Sequence, residues 1–381
     1  MDQARHLWGG GESVSDSSAA AAQFCTSGRI VDVQPYGEGN LNDTYLVTLE
    51  GAPHAHFILQ RINTHVFQEP HLIMLNLRVF SDHVQQRLAR EGESGESPWV
   101  VPAVLQTVDG KDDYLDLEGG FWRALGYVEG ARCFQTVQSI DHAREAGYAL
   151  GRFHSLISDL DPALLHDTLE GFHITPRYLQ HYDRVVSSRS SIRPSTEVTH
   201  AMRFVQARRA WASVLEDAKA SGELFERPIH GDPKINNIMI DERTGRAVSI
   251  VDLDTIKPGL VHYDIGDCLR SCCNPLGEET TEVEGVHFDL ALCRAILEGY
   301  LGEAQRFMTQ ADYAYMYDAV RLIAFELGLR FFTDYLEGDV YFKARYPEHN
   351  LTRALVQFKV AESIEAQAGQ IQAIVAALQP Q

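Results

Sequence analysis

The sequence predicts an α/β chain of two lobes: a small lobe built on an antiparallel sheet, then a larger and mostly helical lobe. Three observations carry that expectation. Residues 31–62 alternate β-forming runs with turn residues, the pattern of strands joined by hairpins. From residue 141 onward, apolar residues recur at the spacing of amphipathic helices. Within that helical region lies one short hairpin pattern, residues 238–253, beside the densest group of polar residues in the chain: His230, Asp232, Asn236, Asn237, Asp252, Asp254, Asp264 and Asp267.

Composition narrows the classes. At 381 residues, 45% of them hydrophobic, the chain is long enough for two lobes with a sizeable core. No run approaches the roughly 18 apolar residues of a membrane span. The start lacks the basic and apolar regions of a secretory signal, so a cytoplasmic setting is expected. The net charge of −20 argues against nucleic acid or an anionic membrane as partner. The six cysteines form no CxxC pair, and Cys268 and Cys272 share a helix face, as buried thiols in a reduced protein would.

Taken in order, residues 1–24 read as a flexible tail, rich in Ser, Ala and Gly. The small lobe is expected over 25–129. Strands at 31–36 and 44–49 flank a glycine-rich turn containing Gly37 and Gly39. Such a turn lets backbone N–H groups approach anionic oxygens closely, although alone it is equally a plain hairpin. The third strand, 56–62, carries Gln60 and Arg61; side chains alternate along a strand, so the two point to opposite faces unless a bulge intervenes. Residues 70–88 repeat at helical spacing through Leu72, Leu75, Val79, Val84 and Leu88. Strands at 100–107, 113–117 and 121–130 complete the lobe, with the boundary near Glu129. The large lobe, 130–381, should hold a helix at 145–154 rich in small residues for close packing. Further helices are expected at 196–220, 308–332 and 354–378.

The polar group has a chemical logic. It reads IHGDPKINNIMID, a tight turn, then VSIVDLDTIKPGLVHYDIGD. An Asp, an Asn five residues later, a hairpin and a closing Asp form the arrangement of kinases. Asp232 would accept or orient the proton of an attacking hydroxyl, while Asn237 and Asp252 supply oxygens to Mg²⁺. The plain alternative is a polar loop capping a hairpin. The Asp twenty residues on, followed by DIGD, makes the kinase spacing the better account. It also favours Gly37 and Gly39 as a lid over phosphates. His230 and His154 read as residues that hold backbone or core rather than move protons. Asp264 and Asp267 open a helix, and Asp254 reads as either a second metal contact or a loop brace.

These segments resemble the aminoglycoside phosphotransferase and choline kinase superfamily, and are most similar to the N-acetylhexosamine 1-kinases, which carry a similar DTKINN-type loop and a DLDT-PGL-YD-GD stretch. The resemblance runs from about residue 36 to about residue 365. It implies a bilobal protein-kinase-like fold, ATP as co-substrate, Mg²⁺, and a small hydroxylated acceptor. It implies that Tyr127 and Val128 border the adenine, and that Gln60 stands where such kinases usually place a phosphate-binding lysine, with Arg61 beside it. It implies acceptor contacts from Asn42, Asp43, Arg330 and Tyr341. The expected reaction is phosphorylation of the anomeric hydroxyl of an N-acetylhexosamine (GlcNAc or GalNAc). The alternatives are another alcohol, aminoglycoside or choline-like, and a non-catalytic pseudokinase, for which Gln60 is the supporting feature.

Overall fold

The computed structural model describes residues 14–37, 41–92, 98–188 and 195–380. The first lobe runs α1 (Val14–Phe24), β1 (Arg29–Pro35), β2 (Asp43–Glu50), β3 (His56–Ile62), α2 (Pro70–Glu91), β4 (Val104–Leu105), β5 (Tyr114–Leu115) and β6 (Phe121–Gly126). The chain continues through β7 (Ala131–Arg132), α3 (Ile140–Ile157), α4 (Thr175–Ser188), α5 (Thr196–Arg208), α6 (Val214–Ala220), β8 (Arg227–Ile229), β9 (Ile238–Asp241), β10 (Ala247–Ile250) and β11 (Lys257–Gly259). It closes with α7 (Val261–Cys272), α8 (Leu290–Ala304), α9 (Gln310–Ala314), α10 (Met316–Glu337), α11 (His349–Ala366) and α12 (Ala368–Leu378). This is a bilobal α/β fold of the protein-kinase-like type.

The small-lobe sheet is antiparallel, in the order β1-β2-β3-β6-β4, with β5 also on β6. Its register sets two faces. Thr44, Gln60 and Arg123 form one cross-strand row, and Asp43, Arg61 and Trp122 form the next. Directly opposed residues share a face and neighbouring rows alternate. The Trp122 row therefore lies on the outer face, with Val47, Phe57, Leu59 and Ala124, while the Gln60 row faces the other lobe.

The expected flexible tail needs correcting over residues 14–24. They form α1, and its Ala20, Ala21 and Phe24 are buried on Trp122 and Leu59. The alanine run that reads as part of a flexible tail is a strong helix former, and its small side chains let the helix lie close on the outer face. The three later strands are shorter than their sequence patterns. β4 and β5 hold two residues each and β6 ends at Gly126, whose N–H bonds Ala103 O at 2.8 Å.

Helix α2 joins the lobes. Its Asn76 amide donates to His166 O and to Ile256 O, both at 2.8 Å, and Phe80 stacks on Phe153 of α3. In the large lobe, α3 packs against α8 so closely that a Cβ on Gly147 would stand 1.9 Å from Ile296 O. The expected helix at 196–220 is broken by a turn at Arg209–Trp211, where Arg209 pairs with Asp183 and Trp211 meets Phe325. The 308–332 stretch divides at Tyr315, and the last helix divides at Gln367, whose amide donates to Phe288 O. Cys268 and Cys272 are buried thiols 3.9 Å apart. Among the described residues, no helix is long and apolar enough to cross a membrane.

Candidate active site

The catalytic-loop candidate leaves β8 at His230 and is held from every side by buried groups. Asp264, at the start of α7, accepts from the backbone N–H of His230 at 2.7 Å and of Gly231 at 2.8 Å. Its third partner is His154 Nε2 at 2.8 Å, whose other ring nitrogen meets the Tyr300 hydroxyl. Burial alone would raise the Asp264 carboxyl, but His154 and the N–H donors outweigh it and hold it below the ordinary value. On the opposite side, His173 Nε2 bonds Gly231 O at 2.7 Å, and its Nδ1 pairs with Glu326 at 3.0 Å. Thr255 Oγ1 donates to His230 O at 2.9 Å. Gly231 has φ +89°, and a Cβ there would meet Thr255 O at 2.7 Å, so this position requires glycine. His230 bonds Val251 O through Nε2, accepts the Asp232 N–H at Nδ1, and burial lowers its pKa. It orients backbone.

This framework presents Asp232 at the mouth of the cleft, one quarter exposed. Lys234 Nζ donates to Asp232 Oδ2 at 2.6 Å; burial works against its charge, but Asp232 and Asp252 raise its pKa and keep it an ammonium. The sequence reading passed over Lys234, although its position two residues after the Asp was the available signal. Asn237 Nδ2 donates to Asp232 O at 2.7 Å, which commits the amide's nitrogen end and leaves Oδ1 as an acceptor. The bond from Val251 N–H to Asn237 O, 2.8 Å, brings Asn237 beside the end of β10. Two residues past that strand, Asp252 takes the left-handed conformation, φ 66° and ψ 56°. Few residues other than Gly, Asn and Asp accept it, and such strain gathers at functional sites. Its side chain is open to the cleft. The enclosing walls, then the neighbouring Asp254 and Asp232, push the Asp252 pKa up to about 6. Asp252 and Asn237 Oδ1 together offer hard oxygen donors, which fits a divalent cation. Asp254 is not free to join them. Its Oδ1 pairs with Arg123 at 2.5 Å, and its Oδ2 accepts from Asn42 at 2.7 Å. It is a brace between the lobes.

The small-lobe wall departs from expectation. Gln60 Oε1 accepts from Arg123 Nε at 3.0 Å and Nη2 at 2.7 Å, while Gln60 Nε2 donates to Thr44. Arg61 does not reach the cleft: strand alternation turns it to the outer face, 5.8 Å from the Trp122 ring. Asp43, opposite Arg61 in the register, is exposed on that same outer face, so it does not join the acceptor candidates. Asn42 is buried, with one amide end on Asp254 and the other on the Asn63 N–H. Arg123 went unnoticed in the sequence because its motif, FWRALG, reads as a plain apolar strand. Gly37 lies at the turn after β1 with φ +76°; Gly39 falls outside the described residues. At the lobe junction, Val128 is buried with Ala131, Met239 and Val248, forming an apolar patch across both lobes. Tyr127 packs edge-on against Tyr36 and His56.

Arg330 and Tyr341 do come together. The Arg330 guanidinium lies 4.9 Å from the Phe172 ring, 5.1 Å from Tyr178, 5.4 Å from Phe342 and 6.0 Å from Tyr341. Asp334 fixes the last two rings by accepting the backbone N–H groups of Val340, Tyr341 and Phe342 at 2.7–2.9 Å. Among the described residues, no carboxylate forms an ion pair with Arg330, although burial is offset by Tyr178, Tyr341, Glu326 and Asp232, which together raise its pKa.

The sequence matches the phosphotransferase enzyme family over residues 32–307, most of the chain, and the protein belongs to that family. It is an enzyme of the phosphotransferase class. Its fold is similar to that of a microcompartment-associated aminopropanol kinase, with TM-score 0.58 and 17% identity, covering 93% of this chain and 98% of that one. An aminoglycoside phosphotransferase from Alicyclobacillus acidocaldarius gives 0.58 and 14%, covering 95% and 94%. A choline kinase from Cryptosporidium parvum gives 0.56 and 14%, covering 91% and 93%. At these identities the likeness is one of fold. The resemblance expected from the sequence holds at the level of the superfamily, and these relatives do not single out the N-acetylhexosamine 1-kinases.

Proposed function

We propose that this protein transfers the γ-phosphoryl group of ATP to the hydroxyl of a small alcohol, with Mg²⁺ held by Asp252 and Asn237. The observation that carries this reading is the pinned loop, which brings Asp232, Lys234 and Asn237 beside Asp252 in one cleft. The acceptor oxygen attacks the γ-phosphorus, and its new O–P bond forms as the bond to the departing ADP oxygen breaks. Asp232 orients the hydroxyl and takes its proton. Lys234 offsets the charge beside it. When bound, Mg²⁺ neutralises phosphate oxygens as a Lewis acid. Adenine rests on the Val128–Met239 patch, with the backbone at Tyr127 and Val128 along its edge, and Gly37 lies at the phosphates.

The acceptor is the finer part of the reading. The relatives' names favour amino alcohols and aminoglycosides. The aromatic group around Arg330 points elsewhere, because its rings already enclose a cation and a second one would be repelled. A neutral polyhydroxyl acceptor such as an N-acetylhexosamine suits it better, with the guanidinium forking across sugar oxygens and Tyr341 stacking on the ring. ADP release from Mg-ATP should be measured across N-acetylhexosamines, hexoses, amino alcohols and aminoglycosides, with the product's phosphate located by NMR. Turnover on a neutral sugar supports the full reading. Turnover on amines alone keeps the phosphotransferase and removes the sugar. No ADP release with any acceptor would favour a nucleotide- or sugar-binding pseudokinase.

A further inference from the structure

We propose that Arg123 is the phosphate-anchoring cation of the nucleotide site, supplying from β6 the charge that β3 lacks at Gln60; the inference rests on the ATP-dependent reading above. The register places Gln60 and Arg123 directly opposite each other, on the face turned toward the large lobe. Gln60 is held as a bracket: its nitrogen end donates to Thr44, so its carbonyl faces the guanidinium and takes both Nε and Nη2. Nη2 also pairs with Asp254, two residues after the proposed metal carboxylate, which sets the cation beside the phosphate-handling end of the cleft.

The third nitrogen is the telling one. Arg123 is 1% exposed, and its Nη1 has no hydrogen-bond partner. A buried cationic N–H without an acceptor is costly, and a ligand, an ion or an ordered water completes it. An arginine fork can keep two nitrogens on the protein while a third takes an anionic oxygen, which a single ammonium cannot do. On β3 itself, Arg61 lies on the far face of the sheet against Trp122. A strand carrying Gln60 in place of lysine is therefore compatible with a working phosphate site, because the charge has moved one strand across.

The test is calorimetric titration of the full-length protein with adenosine, ADP and Mg-ATP, comparing wild type, Arg123→Gln, and Arg123→Gln with Gln60→Lys. Arg123→Gln should weaken ADP and ATP by roughly 10- to 100-fold while adenosine binds as before, the loss expected for one charged hydrogen bond. Returning a lysine to position 60 should recover at least about a third of that loss in logarithmic terms. Equal weakening of adenosine would reduce Arg123 to a lobe brace and overturn the inference, as would ATP binding at wild-type strength. If Arg123→Gln does not melt cooperatively, Arg123→Lys takes its place, with selective loss of the phosphorylated ligands expected and an unchanged ATP affinity overturning the proposal. A wild type that binds no ATP sinks both readings; a wild type that binds and turns over ATP beside an unaffected variant sinks this one alone.

Discussion

The two walls of the cleft solve the same problem, fixing a charge at one point, by different means. In the large lobe, Asp232 sits on a loop whose backbone is bonded by Asp264, His173 and Thr255, and all but His173 lie within one short stretch of chain. In the small lobe, the charge is Arg123, steered by a Gln60 that lies 63 residues away. The first wall is rigid because its carboxylate and imidazole supports are buried and mutually satisfied, so each loss leaves an unpaired polar group. The second depends on a sheet register that pairs β3 with β6. The difference teaches where a site can be read from spacing and where it can be read only from strand order.

The comparison breaks most sharply at Asp232. Asp232→Asn keeps shape but cannot accept the proton, and should cost about 10²–10⁴ in kcat while nucleotide affinity stays near wild type. Stopped or steady-state ADP release beside ATP titration checks this; a comparable kcat would remove Asp232 from the mechanism.

A smaller effect is expected from the support behind it. Glu326 and His173 are both buried. Burial would raise the Glu326 carboxyl, but His173 outweighs it and holds it below its ordinary 4.5. Burial opposes the His173 charge, but Glu326 raises it above 6.5. The histidine's contribution is complete below pH 6.5 and is lost as pH rises through its raised value. The glutamate's is complete above pH 4.5 and is lost as pH falls through its lowered value. Glu326→Gln should therefore destabilise most between those limits, by about 3–5 kcal/mol, and less in alkali. Melting curves at about pH 5.5 and about pH 9 test the sign; an identical drop at both would show that the pair is not charged.

Legibility in the sequence follows the same division. The hairpin, Asp232, Asn237 and Asp252 stand at fixed local spacing, and the structure gathers them. The supporting roles read for His154, His230 and Asp264 match their bonds. Arg123 was not legible, because nothing in FWRALG shows which strand lies beside β3. Arg61 and Asp43 enter the candidate site through the family resemblance; the period of two, which already sets Arg61 opposite to Gln60 in the sequence, sends both to the outer face. Helix α1 was hidden by composition: its alanines read as tail until Trp122 and Leu59 supplied a surface to cover.

The central claim, a metal-assisted phosphotransfer in which Asp252 and Asp232 have separate tasks, is tested most directly by titrating ATP with and without Mg²⁺ on Asp252→Ala and Asp232→Asn. Asp252→Ala should lose activity and also the Mg²⁺-dependent part of ATP binding, whereas Asp232→Asn should keep that part and lose only turnover. Asp252→Ala binding Mg-ATP as wild type does, while Asp254→Ala fails to, would assign the metal to the wrong carboxylate and contradict the account.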